Sequence, residues 1–232
     1  MSLKVRQIML NISFQVQGDY HFPLELQACI SKKLEAALAT AGKVLPLLKD
    51  QIHFTMIPSA SVIPETGQGG YCPNKSEVEL RIDPWHKIPI EKIVDEHLVS
   101  SVFHELHHAA RWGSVGWGHT AIEGAISEGL STVFETQFAY SKPLWGMYAA
   151  TDMVEELREI LALSDHKMTA EEHRDWFIRH QDGRRWIAYR VGTYIIERAI
   201  SNNPTETAAS LVDTSARTIF EMAKLDVDYS WL

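Results

Sequence analysis

Two histidines and a glutamate are spaced as they are in a catalytic metal site. Residues 104–108 read His-Glu-Leu-His-His, in which His104 and His108 are separated by one helical turn. Each residue of a helix turns by about 100°, so both imidazoles lie on one face and can bind a single Zn²⁺ at about 2.0–2.1 Å. Glu105 projects away from them, where it can accept a proton from a metal-activated water without binding the metal. The motif predicts zinc-dependent hydrolysis.

A catalytic zinc needs a third protein ligand, and there are three candidates for it farther along the chain. Glu128 lies in the next predicted helix among apolar residues, where a carboxylate needs a partner. Glu123 is better explained by a capping box with Thr120, and His119 lies in the loop before that helix. We therefore expect one zinc ion per chain, bound by His104, His108 and Glu128.

The same motifs carry a family resemblance. The HExxH motif followed by Glu128 in the string SEGLSTVFE is similar to the gluzincin metallopeptidases, which include thermolysin-like enzymes and zinc aminopeptidases. The strings HELHHAAR and SEGL, with residues 189–192 (YRVG), resemble more closely a bacterial family of predicted zinc-dependent proteases, over about residues 70–200. The resemblance implies a zincin-like fold, the ligands named above and Glu105 as the general base.

Two positions depart from the better-known gluzincins. Thermolysin-like enzymes place an Asp four residues after the ligand Glu to orient a metal histidine, and this sequence has Thr132 there. Zinc aminopeptidases place an Asn before that Glu, and this sequence has Ser127. The resemblance therefore implies metal chemistry and fold but no particular substrate.

A further donor usually stabilises the oxyanion formed in peptide hydrolysis. Tyr189 is the first candidate because it lies in the matching YxxG segment, and His180 and Tyr194 are the alternatives. Tyr189 can equally be a packed aromatic residue beside a close helix contact at Gly192. On the metal helix, His107 points away from the zinc, toward solvent or a second layer of contacts, and Arg111 is placed for an ion pair.

The elements that must position these residues indicate an α+β protein with a small N-terminal sheet and a mainly helical body. β-rich composition predicts strands at residues 5–16 and 51–57, and alternation of polar and apolar residues predicts another at 76–83. The glycines at 67–70 predict a loop. Helical periodicity and capping residues predict helices at 23–45, 91–112, 120–140, 152–163, 169–180, 185–200 and 206–222. We expect one zincin-like domain over residues 1–232, with a mixed part at 1–88 and a helical part at 89–232.

The strand at 76–83 has two interpretations. In gluzincins the edge strand before the active helix binds the substrate backbone as an added strand, so an edge position here would imply an extended peptide substrate. The other interpretation is an ordinary half-buried strand.

Composition limits the remaining partners. A net charge of −8 without a basic stripe argues against nucleic-acid binding, and no apolar run is long enough to span a membrane. Two cysteines, Cys29 and Cys72, predict no disulfide framework, and we expect a cytoplasmic protein. The expected activity is peptide hydrolysis on a peptide or protein substrate. The alternatives are a zinc hydrolase of non-peptide amides and a catalytically idle zinc-binding regulatory domain, although the presence of Glu105 argues against the idle domain.

Overall fold

The computed structural model describes residues 8–139 and 142–227, which form an α+β structure as predicted. The strands are β1 (Met9–Phe14), β2 (Gln51–Pro58), β3 (Gln68–Asn74) and β4 (Glu77–Ile82). The helices are α1 (Leu24–Val44), α2 (Ile90–Glu96), α3 (Leu98–Arg111), α4 (Ala121–Ala139), α5 (Met153–Ala162), α6 (Ala170–His173), α7 (Ile187–Asn202) and α8 (Ala216–Ala223). In the part of the chain so described, no helix is both long and apolar enough to cross a bilayer.

The chain divides into two compact units, the first ending at Ser114 and the second beginning at Val115. The first contains the sheet with α1, α2 and α3, and the second contains α4 to α8. The helix with the HExxH motif thus belongs to the same unit as the sheet. The assignment of the whole chain to one zincin-like domain stays a prediction.

The four strands form one mixed sheet in the order β1-β2-β4-β3. Strand β2 pairs in parallel with β1 and β4, and β3 pairs antiparallel with β4. Alternate residues of the central strands are buried, among them Phe54 and Met56 on β2 and Leu80 on β4. This period-two burial gives the sheet one apolar face, against which α3 packs at β3 and β4.

The expectation of a free edge at residues 76–83 is wrong. The strand itself is confirmed as β4, but β4 lies between β2 and β3, so both of its edges are paired. Peptide docking by strand addition at β4 is therefore excluded. The edge positions belong to β1 and β3, and β3 contains Gly69 and Gly70, which the sequence pattern assigned to a loop. Glycine is tolerated in this strand because another group approaches its backbone closely.

Three predicted helices have different limits in the structure. The predicted helix at 91–112 is two helices, because His97 (φ −122°, ψ −27°) interrupts the helical backbone between α2 and α3. The helix predicted at 169–180 begins with its capping box but ends at His173, and residues Arg174–Ile178 continue as a π-helical turn. Residues 207–214 form turns, and α8 begins only after Ser215, whose hydroxyl caps it.

The other predicted elements are confirmed within a few residues, apart from those at the edge of the described chain. Strand β1 covers part of the predicted segment 5–16, of which residues 5–7 lie outside the described residues. Helix α4 begins after the predicted capping box and reaches Ala139, and Tyr140 also lies outside the described residues.

In the second unit, α4 and α7 pack backbone against backbone. A Cβ atom on Gly192 would lie 1.7 Å from the carbonyl oxygen of Ala125, and one on Gly129 would lie 2.2 Å from the carbonyl carbon of Gly192. The predicted close helix contact at Gly192 is therefore confirmed. Because these helices carry Glu128 and Tyr189, their contact sets the distance between the backbones that hold those side chains.

We predict that Gly192→Ala lowers the free energy of unfolding by about 1–3 kcal/mol, because the new methyl group must push rigid backbone aside. Chemical denaturation monitored by circular dichroism measures the change. Gly69→Ala is the matched control, since its Cβ would meet only Val62 at 3.9 Å. Equal stability of the Gly192→Ala and wild-type proteins would contradict the close packing.

Candidate metal centre

Helix α3 brings the two histidines of the motif together. The Nε2 atoms of His104 and His108 lie 3.2 Å apart, and their ring centroids are 4.9 Å apart. Each residue is only 6% exposed. Two ring nitrogens that face each other at this distance, one helical turn apart, are suited to bind one cation. The predicted placement of both imidazoles on one face is therefore confirmed.

The neighbouring face of α3 lies along the edge strand β3. Residues 101, 105 and 112 fall within about 40° of one another around a helix, and residues 68, 70 and 72 point to one side of a strand. The two rows meet in three pairs: Gln68 donates a hydrogen bond to Ser101, Gly70 lies against Glu105, and the Trp112 indole donates to the Cys72 carbonyl at 3.0 Å. Helix and strand thus run side by side in the same direction.

Gly70 makes room for the Glu105 carboxylate. A Cβ atom at position 70 would lie 2.3 Å from Glu105 Oε1, closer than real side-chain contacts allow. Glu105 is buried, so its carboxylate rests against the backbone of the edge strand. Gly70, which the sequence pattern placed in a loop, therefore contacts Glu105, the predicted general base.

Cys72 lies beside the same carboxylate. Burial and then the negative charge of Glu105 raise the pKa of the Cys72 thiol far above its usual value, so the thiol stays protonated. It donates a hydrogen bond to the carbonyl of Asn74 at 3.1 Å. A protonated, buried thiol is a poor metal ligand and nucleophile, which agrees with a structural role for Cys72.

Glu128, on α4 of the second unit, is a buried carboxylate with a defined hydrogen-bond donor. The indole Nε1 of Trp117 donates to Glu128 Oε1 at 2.8 Å, and Glu128 is 6% exposed. Trp117 packs on Phe177 and His173, with ring centroids 5.3 Å and 5.7 Å away. Burial lowers the pKa of His173, more than the charge of Glu128 raises it, so this ring is neutral at pH 7.

The two rival ligands have other surroundings. The Glu123 carboxylate accepts hydrogen bonds from the backbone N–H groups of His119 (2.8 Å) and Thr120 (3.0 Å), which confirms the predicted capping box. Partial burial raises the pKa of Glu123, but these hydrogen bonds lower it further, to below its ordinary value. His119 is exposed in the loop before α4.

Three residues were candidates for the oxyanion donor. Tyr189 is half-buried on α7, and its ring centroid lies 6.1 Å from that of Phe177. Phe177 in turn contacts Trp117, which donates the hydrogen bond to Glu128. The Nδ1 atom of His180 lies 2.9 Å from Asp182 Oδ2. The ring centroids of Tyr194 and Tyr148 lie 5.7 Å apart. Of the three, Tyr189 is the one connected to Glu128 by a chain of aromatic contacts.

The structure decides between the alternatives left open for two residues of α3, and two other residues were missed. His107 is fully buried, which excludes exposure to solvent and agrees with the alternative of a second layer of contacts. Arg111 is 3% exposed, which excludes an ordinary surface ion pair. The missed residues are Gly70 and Trp117, both within glycine-rich segments that sequence patterns assign to loops. The local signal that could have identified Trp117 is its place as an aromatic residue in the loop before the helix that carries Glu128.

Comparison with known proteins agrees with this centre. A family model described as a predicted Zn-dependent protease, DUF2268, matches residues 32–221. Neither a curated protein nor a solved structure matches the chain. The family match covers most of the sequence and includes β3, the HExxH helix, Glu128 and Tyr189. The chain therefore belongs to the DUF2268 family of predicted zinc-dependent proteases.

Proposed function

We propose that this protein is a peptidase that uses one zinc ion bound by His104, His108 and Glu128. The observation that carries the proposal is the pair of buried imidazoles, whose Nε2 atoms lie 3.2 Å apart in a protein of a predicted zinc-dependent family. Two histidines and one glutamate are a ligand set of known catalytic zinc sites, which leave a fourth position open for water or substrate.

The chemistry of the three side chains fits this metal. All three are buried, and each offers one ligand atom. A buried carboxylate such as Glu128 loses hydration, and a bound cation would compensate that loss. The buried imidazoles of His104 and His108 would bind as neutral ligands.

In the proposed mechanism, His104, His108 and Glu128 would hold a zinc ion, which would act as a Lewis acid on the scissile carbonyl and lower the pKa of the attacking water. Glu105 accepts a proton from that water and delivers it to the leaving nitrogen. Gly70 and the backbone of β3 hold the Glu105 carboxylate in place. Tyr189 is the proposed donor to the oxygen on which negative charge develops.

The substrate is proposed to be a peptide or protein. Strand β3 lies at the edge of the sheet and passes Glu105 at Gly70. An extended peptide can pair with an edge strand through main-chain hydrogen bonds, which places its carbonyl groups beside the strand. The position of the general base against this strand supports a peptide substrate.

We also propose a cytoplasmic location. Cys29 and Cys72 are both free thiols, as is usual in reducing compartments.

The first test concerns the ligands. We expect the wild-type protein to retain one zinc ion per chain after dialysis, and His104→Ala and His108→Ala to lose it, with a smaller loss for Glu128→Ala. Elemental analysis by mass spectrometry measures the content. Glu123→Gln is the matched control and should keep its zinc, since Glu123 caps α4. Full zinc occupancy in the double histidine variant would refute the site.

The second test concerns the general base. Glu105→Gln keeps the shape of the side chain but cannot accept a proton, so turnover should fall at least about a hundredfold while zinc stays at one per chain. Cleavage of a mixed peptide library, followed by mass spectrometry, supplies the substrate and the rate. Near-normal turnover would show that Glu105 is not the base, and loss of zinc would show that it is a ligand.

The third test concerns Gly70. In Gly70→Ala the methyl group would displace the flexible Glu105 carboxylate rather than the backbone, so folding and zinc content should be retained. Turnover should fall about 10- to 100-fold, because a displacement on the order of 1 Å misaligns the base. In the Glu105→Gln background the same substitution should cost little more. A full additional loss in that background would mean that Gly70 acts on something other than Glu105.

A further inference from the structure

We propose that Trp117 is a positioning residue for the metal ligand Glu128. Its indole N–H donates a hydrogen bond to one carboxylate oxygen, Oε1, and so fixes the orientation in which the carboxylate would bind zinc. This inference rests on the proposed function, in which Glu128 is a ligand, and adds a residue that no sequence motif identified.

The hydrogen bond between them has the properties of a strong one. Trp117 Nε1 lies 2.8 Å from Glu128 Oε1, and the acceptor is a carboxylate with 6% exposure. Hydrogen bonds to charged acceptors are shorter and roughly twice as strong as those between neutral groups. Little water reaches the carboxylate, so the bond is weakly screened.

The indole ring is itself fixed. A Cβ atom on Gly124 would lie 2.5 Å from the Trp117 ring, so this ring occupies the space above a glycine of α4. Gly124 and Glu128 are four residues apart and therefore on one face of the helix, where the ring over Gly124 reaches Glu128 one turn later. Phe177 and His173 cover the ring, which restricts its rotation.

The chemistry of indole suits this role. The indole N–H is a donor only, so it neither binds the metal nor accepts a proton from the carboxylate. A donor fixed on one oxygen restricts the orientations in which the carboxylate can bind the metal. Groups that orient metal ligands in this way typically change metal affinity 10- to 100-fold when they are removed.

The test is Trp117→Phe, which keeps an aromatic ring but removes the donor. We expect the Kd for zinc, measured by competition with a chromophoric chelator, to rise about 10- to 100-fold. The matched control is Trp145→Phe, which removes the hydrogen bond from the Trp145 indole to buried Glu135 (3.3 Å) in the same unit. That control should bind zinc as the wild type does. Thermal melts of both variants monitor folding.

A double-mutant cycle separates positioning from general destabilisation. In the Glu128→Ala background, Trp117→Phe should weaken zinc binding no further, because the carboxylate that it orients is gone. If the wild-type protein binds no zinc, the proposed function itself fails and this inference with it. If the wild type binds zinc and Trp117→Phe binds it equally well, only the role of Trp117 is refuted.

A measurement on the wild-type chain does not depend on how well the variant folds. Among the seven tryptophans, the indole N–H signal of Trp117 should shift on addition of zinc in a ¹⁵N NMR spectrum, and that of Trp145 should not. A Trp117 signal that zinc leaves unmoved would overturn the proposal.

Discussion

Helix α3 carries six polar side chains that are almost completely buried, and their loss of hydration must be compensated. The six are Ser101, His104, Glu105, His107, His108 and Arg111. Such a helix is costly in an ordinary core, where apolar side chains would stabilise the fold more. Its polar groups are best explained as parts of a site. Ser101 is bonded to the edge strand, and Glu105 rests on it. In the proposed function, His104 and His108 would bind the zinc ion.

Glycine recurs wherever this protein needs two groups closer than side chains permit. Gly70 admits the carboxylate of Glu105, and Gly124 admits the ring of Trp117. Gly129 and Gly192 let α4 and α7 touch along their backbones. Each of these glycines costs some conformational entropy on folding. At Gly70 that cost is offset by a contact between the backbone of β3 and the carboxylate of the proposed base, Glu105.

The support around Glu128 differs from that of the better-known enzymes the sequence resembles. At the position where thermolysin-like enzymes place an Asp to orient a metal histidine, this chain has Thr132, which is fully buried in α4. The described support for a proposed ligand here comes from an indole donor instead. Unlike a carboxylate, an indole contributes no charge to the support of the ligand. This difference is in keeping with a resemblance limited to the main motifs.

The sequence by itself determined the elements whose signals are local. The HExxH spacing placed His104 and His108 on one face because helical periodicity depends only on neighbouring residues. The side chains of Thr120 and Thr169 marked the starts of α4 and α6, since a capping box is complete within four residues. β-rich composition located β2, and period-two alternation located β4, for the same reason.

Only the tertiary structure decided which strand is the edge and what surrounds the functional side chains. Residues 68–74, with Gly69 and Gly70, form a strand because β4 supplies their hydrogen bonds and Glu105 fills the space above Gly70. Neither partner is visible in the local pattern. The Trp117 ring lies over Gly124 of α4, and its indole donates a hydrogen bond to Glu128 on the same helix. The sequence left open whether His107 and Arg111 lie at the surface, and the structure buries both. Burial and strand order depend on contacts between residues far apart in the chain, which local patterns do not encode.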